Sequence, residues 1–312
     1  MTADRLLITG ATGFVGTWML RHWRKTHPNI EIWATSHQPD HPGNLADHYA
    51  VLDLMDNDAV NAFVRRSQPT QVIHLAGLVA NASLEEHLAV NVVGTEHLYQ
   101  AIAGLAHAKN ISIVQAGTAA IYGPILPTEL PITEENPFRP LTPYALSKTT
   151  QDHLAAQYWR TDELKTIRAR IFNLLGPGQP ETLVPAAFLK RLANLQPGET
   201  LRVGNLTTRR DFVDVRDVAR AFDGLIQMGQ PGKAYNIGSG TSVPIRDLLN
   251  ELISLSEIPD VVIEENSTPR RKVDVPDVCA DITAIKEDID WSPEISLPES
   301  LDAMLKEEQQ RV

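Results

Sequence analysis

The first 170 residues alternate between short apolar runs and longer amphipathic stretches. Leu6-Leu7-Ile8-Thr9 is a compact run closed by glycine, the length of a buried strand. Behind it Val15, Met19, Leu20 and Trp23 recur at helical spacing and predict one apolar helix face. The pairing then repeats. Residues 30–34 read as a second strand, 50–54 as a third with a helix through Val60 and Phe63, and 71–76 as a fourth with a long helix over residues 84–106. Residues 111–115 and 166–171 supply a fifth and sixth strand. Between them a breaker-free run from Pro143 to Tyr158 predicts a helix that starts at the proline. Strands alternating with helices predict an α/β protein built on a doubly wound parallel sheet covered on both faces.

After Phe172 the texture changes. Breakers cluster at Gly176-Pro177-Gly178, Pro180, Pro197-Gly198 and Gly204, which predicts a smaller, irregular α/β substrate-binding lobe. The first domain is expected over residues 1–172, with a return segment near 211–238, and the second over 173–210 and 239–312. Residues 212–215 and 234–240 are apolar enough to return and extend the sheet. The tail from Lys306 is charged and expected to fray.

Bulk properties narrow the function. A 312-residue chain with 43% hydrophobic and 21% charged residues is long enough for a large core. Its formal charge of −11 argues against non-specific binding to nucleic acid or an anionic membrane. Any anionic ligand must be held by local arginines and backbone amides. Cys279 is the only cysteine, so neither an intrachain disulfide nor a cysteine metal cluster is available. No apolar run is long enough to span a membrane and the start is not a signal peptide, so the expected location is cytoplasmic. His37 and His41 stand four apart, but Pro39 interrupts them and no third ligand is near; no metal is expected. Glu134-Glu135, in a proline-flanked loop, is expected to face solvent or a substrate loop.

Two motifs carry chemistry. Gly10, Gly13 and Gly16 fall between the first strand and the first helix. There, glycine permits a tight turn and lets the backbone approach a pyrophosphate resting on the helix N-terminus, as in a Rossmann dinucleotide site. The candidate cofactor contacts are these glycines with Thr12, Phe14 and Val15, joined by Leu75 and Ala76 at the end of the fourth strand. NAD would ask for a carboxylate roughly 20 residues further on. That region holds Ser36 and His37 instead, which suits the 2′-phosphate of NADP, although the usual arginine is absent and NAD stays possible. Asp53 and Leu54 are placed to meet the adenine. The second motif is Tyr144-Ala-Leu-Ser-Lys148: the two side chains lie one turn apart on one helix face, and an ammonium beside a phenol favours the phenolate. Thr118, after the fifth strand, would present a hydroxyl to Tyr144 at the sheet's ligand-facing end.

The glycine triplet, Thr118 and Tyr144-x-x-x-Lys148 together resemble the extended short-chain dehydrogenase/reductase family. Residues 170–179 and 203–217 resemble its nucleotide-sugar branch, and are most similar to the GDP-mannose 4,6-dehydratase and GDP-4-keto-6-deoxy-D-mannose reductase group. The resemblance implies catalytic Thr118, Tyr144 and Lys148, with Lys148 also anchoring the nicotinamide ribose. It implies substrate contacts at Asn173, Lys190, Arg210, Arg271 and Asp274, with Arg209 and Arg270 left as surface charges. It implies a homodimer through the two long helices and a nucleotide-diphosphate sugar as ligand, GDP-linked by preference. Dehydratases of the group keep an acid and a base directly after the threonine; here those places are Ala119 and Ala120. A methyl group cannot shuttle a proton. The expected reaction is therefore NADPH-dependent reduction of a C4 ketone. The alternatives are an NAD-dependent 4-epimerase, and a non-catalytic dinucleotide sensor that would have no need of the three catalytic residues.

Overall fold

The structure, a computed structural model, describes residues 4–79, 81–196, 198–265 and 275–311. Its centre is a seven-stranded sheet made of β1 (Arg5–Thr9), β2 (Glu31–Ser36), β3 (His48–Val51), β4 (Gln71–His74), β5 (Ser112–Thr118), β6 (Lys165–Ile171) and β10 (Ala234–Ile237). The strand order is β10-β6-β5-β4-β1-β2-β3, parallel throughout. The order reverses between β1 and β4, opening a crevice at the carboxyl ends of both.

Successive strand residues point to opposite faces. Leu6 and Ile8 join Met19, Trp23, Phe222 and Ile289 in one core, while Leu7 joins Phe63, Leu98, Tyr99 and Tyr158 in another. Helices α1 (Phe14–Thr26), α7 (Val215–Met228) and α9 (Thr283–Ile289) supply the first; α2 (Asn57–Ser67), α4 (Gly94–Ala103) and α5 (Pro143–Asp162) the second. Trp33 is likewise buried, whereas Trp18 is half-buried and donates its indole N–H to the Pro177 carbonyl at 2.8 Å.

The long helix expected over 84–106 is broken. It runs as α3 (Leu84–Leu88), a π turn (Ala89–Val93) and then α4. The π turn sets Asn91 beneath α5, where its side chain bonds Leu78 N, Leu78 O and Ser147 Oγ at 2.6–3.0 Å. π turns inside helices tend to mark functional sites. Helix α5 starts as its sequence dictates. The Thr142 hydroxyl caps Ala145 N at 3.0 Å, Pro143 fills the first turn, and Glu163 closes the helix in a left-handed conformation.

Only one of the two proposed return segments joins the sheet. β10 extends it beside β6, but β9 (Arg209–Asp214) lies in the second lobe, paired with β7 (Asn173–Leu175), β11 (Ser242–Pro244) and β13 (Asp277–Val278). Its buried run Asp211–Asp214 is used by a different sheet, a choice that hydrophobicity alone does not make. Beyond residue 239, α9 packs on the first lobe's core rather than within the second. The rest of the second lobe holds β8 (Thr200–Val203) paired with β12 (Val262–Glu265), and helices α6 (Val184–Ala193), α8 (Ile245–Ser256) and α10 (Leu297–Arg311) around Leu192, Leu248 and Leu301. The charged tail does not fray at Lys306: α10 continues to Arg311, anchored by buried Leu301 and Met304. Among the described residues no helix is long and apolar enough to cross a membrane.

A buried charge cluster fixes α5 to the sheet. Asp152 accepts from Arg170 Nε at 2.9 Å and from Arg168 Nη1 at 3.0 Å. Burial would push its carboxyl up, but the Arg170 and Arg168 guanidiniums hold it below the usual value. Arg170 also donates to the Tyr122 hydroxyl at 3.0 Å and the Glu134 carbonyl at 2.8 Å. Removing the carboxylate leaves two guanidiniums without their counter-ion. Asp152→Ala should therefore lower unfolding stability by ~3–5 kcal/mol in urea titration; an unchanged midpoint would show that the cluster does not fix the helix.

Candidate active site

The glycine loop closes tightly over the end of β1. Gly10 has φ +68°, and a Cβ there would lie 2.8 Å from Ala76 N, so both backbone and space demand glycine. A Cβ at Gly16 would collide with the Gly10 carbonyl, which brings α1 directly against the loop. Helix α1 begins on Gly13 with no side-chain cap, so its first N–H groups face the loop. The cradle fits a pyrophosphate for that reason. Across it, Thr12 Oγ1 donates to Ser36 Oγ at 2.7 Å, joining the loop to the end of β2, and His37 is exposed beside it. Leu75 and Ala76 border the same loop, with Leu75 N and Ala76 N donating to Thr9 O and Thr9 Oγ1, both at 3.2 Å. Asp53 is exposed and accepts from Met55 N at 2.9 Å, whereas the Leu54 side chain is core. At position 54 the side chain is thus committed to packing.

On the other side of the crevice, β5 ends at Thr118, whose hydroxyl accepts from Ala120 N at 3.2 Å and lies near enough to Tyr144 to act on its phenol. Tyr144 is half-buried on the first turn of α5, its ring 5.8 Å from that of His87. Burial pushes its phenol up, and the Thr118 hydroxyl draws it partly back. The sequence spacing predicts instead a phenol made more acidic by Lys148. The ammonium turns away, donating to Ala116 O at 2.7 Å and to Gln151 Oε1, so it does not offset the burial of the phenol. Burial lowers Lys148 itself to about 8, against the opposing charge of Asp152.

Thr118, Ala119 and Ala120 form one wall of a cleft of about 220 Å³, with Leu141, Phe172, Asn173, Arg210 and Val278 among the residues around it. Asn173 and Arg210 are thus brought to Thr118, as the sequence motifs imply. Arg210 donates to the carbonyls of Arg209 and Val275 at 2.7 and 2.8 Å. Lys190 is not in this cleft. It lines a separate pocket of about 20 Å³ with Gln179 and Glu307, and pairs with Glu181 at 3.3 Å and Glu308 at 4.0 Å, because its turn of α6 faces α10. Arg271 and Asp274 lie outside the described residues. Arg209 is not a free surface charge, since it bonds Ser242 Oγ at 3.3 Å and pairs with Asp277 at 3.4 Å. Of the glutamate pair, Glu135 is exposed, but Glu134 accepts from Asn236 N at 2.7 Å and burial raises its carboxyl. It braces β10 against the loop.

Sequence reasoning missed the residues behind Lys148: Gln151, Thr95 and His74, all buried. Gln151 Nε2 donates to Thr95 Oγ1 at 2.7 Å, and His74 lies 2.9 Å from Thr95 Oγ1 and 2.7 Å from Thr9 Oγ1. The only available signal was three polar residues on faces that otherwise read as core.

A dinucleotide cradle at the strand-order reversal, facing a Thr–Tyr–Lys set across the crevice, defines an NAD(P)-dependent oxidoreductase of the extended short-chain dehydrogenase/reductase type. The chain belongs to the GDP-mannose 4,6 dehydratase family, whose model matches residues 7–304. It is 30% identical to GDP-6-deoxy-D-mannose reductase of Pseudomonas aeruginosa over 318 residues, covering 99% of this chain and 98% of that one. It is 28% identical to GDP-6-deoxy-D-talose 4-dehydrogenase of Aggregatibacter actinomycetemcomitans, over 89% of this chain and 88% of the other. The solved structure of RMD from Pseudomonas aeruginosa complexed with NADPH superposes with a TM-score of 0.87 at 28% identity, over 99% of this chain and 100% of that one.

The cradle predicts that Gly10→Ala, which forces a methyl toward Ala76 at positive φ, weakens dinucleotide binding at least ~10-fold, since a misfit above ~1.4 kcal/mol is tenfold. Fluorescence titration with NADPH measures it, and an unchanged affinity would contradict the tight-turn account.

Proposed function

We propose that the protein is an NADPH-dependent reductase of the C4 ketone of a nucleotide-activated 4-keto-6-deoxy sugar, GDP-linked by preference. The observation that carries this reading is the cleft wall itself, where Thr118, beside the Tyr144 phenol, is followed by Ala119 and Ala120. The dinucleotide supplies the hydride when it is bound. Tyr144 gives its proton to the C4 oxygen as negative charge develops there, and Thr118 bonds the same oxygen. A phenol is protonated at neutral pH and burial moves Tyr144 further that way, so the group can give its proton in reduction. Lys148 uses two of an ammonium's three donors on Ala116 and Gln151, and the third suits a ribose hydroxyl. Asn173 and Arg210 lie where the sugar and its diphosphate would extend, and a guanidinium's fork matches paired phosphate oxygens.

Several further features support this reading. Ser36, Thr12 and His37 form a polar group without a carboxylate, which favours a 2′-phosphate over a bare ribose hydroxyl. The NADPH complex and the GDP-sugar names among the relatives agree with it. With no acid or base beside Thr118, elimination of water from the sugar lacks its proton carriers. We also assign a homodimer formed through α4 and α5, supported by the exposed Leu84, Val93 and Leu146 on the α3–α4 and α5 segments, and a cytoplasmic location, where sugar nucleotides and NADPH are at hand.

Tyr144→Phe should lower turnover of GDP-4-keto-6-deoxy-D-mannose by ~10²–10⁴ while NADPH affinity, read by fluorescence titration, stays within a few-fold of the parent. A near-normal rate would remove Tyr144 from the chemistry. Wild-type protein should leave GDP-mannose undehydrated, as judged by the absence of a 4-keto product; formation of that product would mean that the two alanines do not exclude dehydration.

A further inference from the structure

Donor and acceptor bookkeeping around Lys148 has a single consistent solution. Thr95 has one hydroxyl proton and gives it to the Asn91 carbonyl at 2.7 Å, so toward its other neighbours it can only accept. Gln151 must therefore present its NH₂ to Thr95, 2.7 Å away, which turns its carbonyl oxygen toward Lys148 Nζ. The same limit makes His74 donate from Nε2 to Thr95 at 2.9 Å. Neutral His74 then accepts at Nδ1 from Thr9 Oγ1 at 2.7 Å, and Thr9 Oγ1 accepts from Ala76 N at 3.2 Å. Burial holds His74 neutral, down to about 3, with the nearby Lys148 charge adding to the effect. A continuous chain of bonds thus runs from the root of the glycine loop, beneath β4 and α4, to the ammonium on α5.

We propose that Gln151 is a positioning residue for Lys148: its carboxamide, oriented by Thr95 and His74, fixes the ammonium against Ala116 and links it to Thr9 beside the cofactor cradle. The inference rests on the placement of Lys148 in the reacting site. Gln151 is fully buried and sits one turn beyond Lys148 on the same helix, so it adds neither contact surface nor charge at the cleft. What it offers the ammonium is an aimed acceptor. The charged and titratable groups around Lys148 are Tyr144 and Asp152 on α5 and His74 on β4. Asp152 is committed to Arg168 and Arg170, and His74 carries no charge near neutral pH, which leaves Gln151 and Ala116 as the local acceptors.

The test follows the Lys148 proton directly, in protein free of cofactor and substrate. Protein carrying [ε-¹³C]lysine is titrated by NMR, with the Lys148 resonance assigned by its loss in Lys148→Arg. Gln151→Met keeps the volume and removes the acceptor, so the Lys148 midpoint should fall. Gln151→Glu places a carboxylate in contact, so it should rise by at least ~1 unit. The alkaline limb of kcat/KM should move in the same two directions. Coincident midpoints in the three proteins, or shifts of both variants in one direction, would overturn the proposal, since lost packing alone has no sign. Opposite shifts in a protein that oxidises no NADPH with the keto sugar would leave Gln151 as the positioning residue and would refute the proposed function instead.

Discussion

A buried ammonium must find its hydrogen-bond acceptors within the fold, because water no longer supplies them. Lys148 meets that demand with Ala116 O at the end of β5 and with Gln151 on its own helix. Much of the local architecture answers to this requirement. Helix α5 has to lie close over β5 and β6, and the Asp152 cluster with Arg168 and Arg170 holds it there. The π turn at Ala89–Val93 brings Asn91 under Ser147, one residue before the lysine. With α5 fixed, Tyr144 on its first turn is delivered to the hydroxyl of Thr118.

The geometry also separates two effects that the Tyr-x-x-x-Lys spacing runs together. Spacing places both side chains on one helix face, but the ammonium charge is taken up by neutral acceptors on its far side. The phenol therefore responds first to burial, which raises it. That favours the protonated acid, the form that gives a proton to a developing alkoxide. The alanines after Thr118 act in the same sense by leaving the cleft wall without a second proton carrier. A site with one proton donor and one hydride position is suited to interconverting a carbonyl and an alcohol rather than to eliminating water.

The parallel sheet was legible because short apolar-rich runs alternate with helical stretches, and the cofactor loop because glycine is required where φ is positive and backbones touch, as at Gly10. Helix α5 was legible from Pro143 and its breaker-free run. Less was visible where pairing partners decide the outcome. β9 and β10 both lie in stretches that could return to the sheet, yet only β10 joins it, and β9 pairs with β7, β11 and β13 instead. The broken helix over 84–103 follows from Asn91's bonds to Leu78 and Ser147, which no local periodicity reveals. Gln151 and His74 read as polar residues on ordinary faces until hydrogen bonds to Thr95 connect them, and Lys190 falls among motif residues but turns toward Glu181 and Glu308.

The central claim is hydride delivery to C4 of a nucleotide-linked ketone, and isotope transfer measures it most directly. NADPH deuterated at nicotinamide C4, in each of its two stereochemical forms, is incubated with the protein and GDP-4-keto-6-deoxy-D-mannose, and the sugar product is analysed by NMR. The account predicts one equivalent of NADPH consumed per sugar, with deuterium at sugar C4 from one of the two forms. Net interconversion of sugars without NADPH consumption, or product carrying no deuterium at C4 from either form, would contradict it.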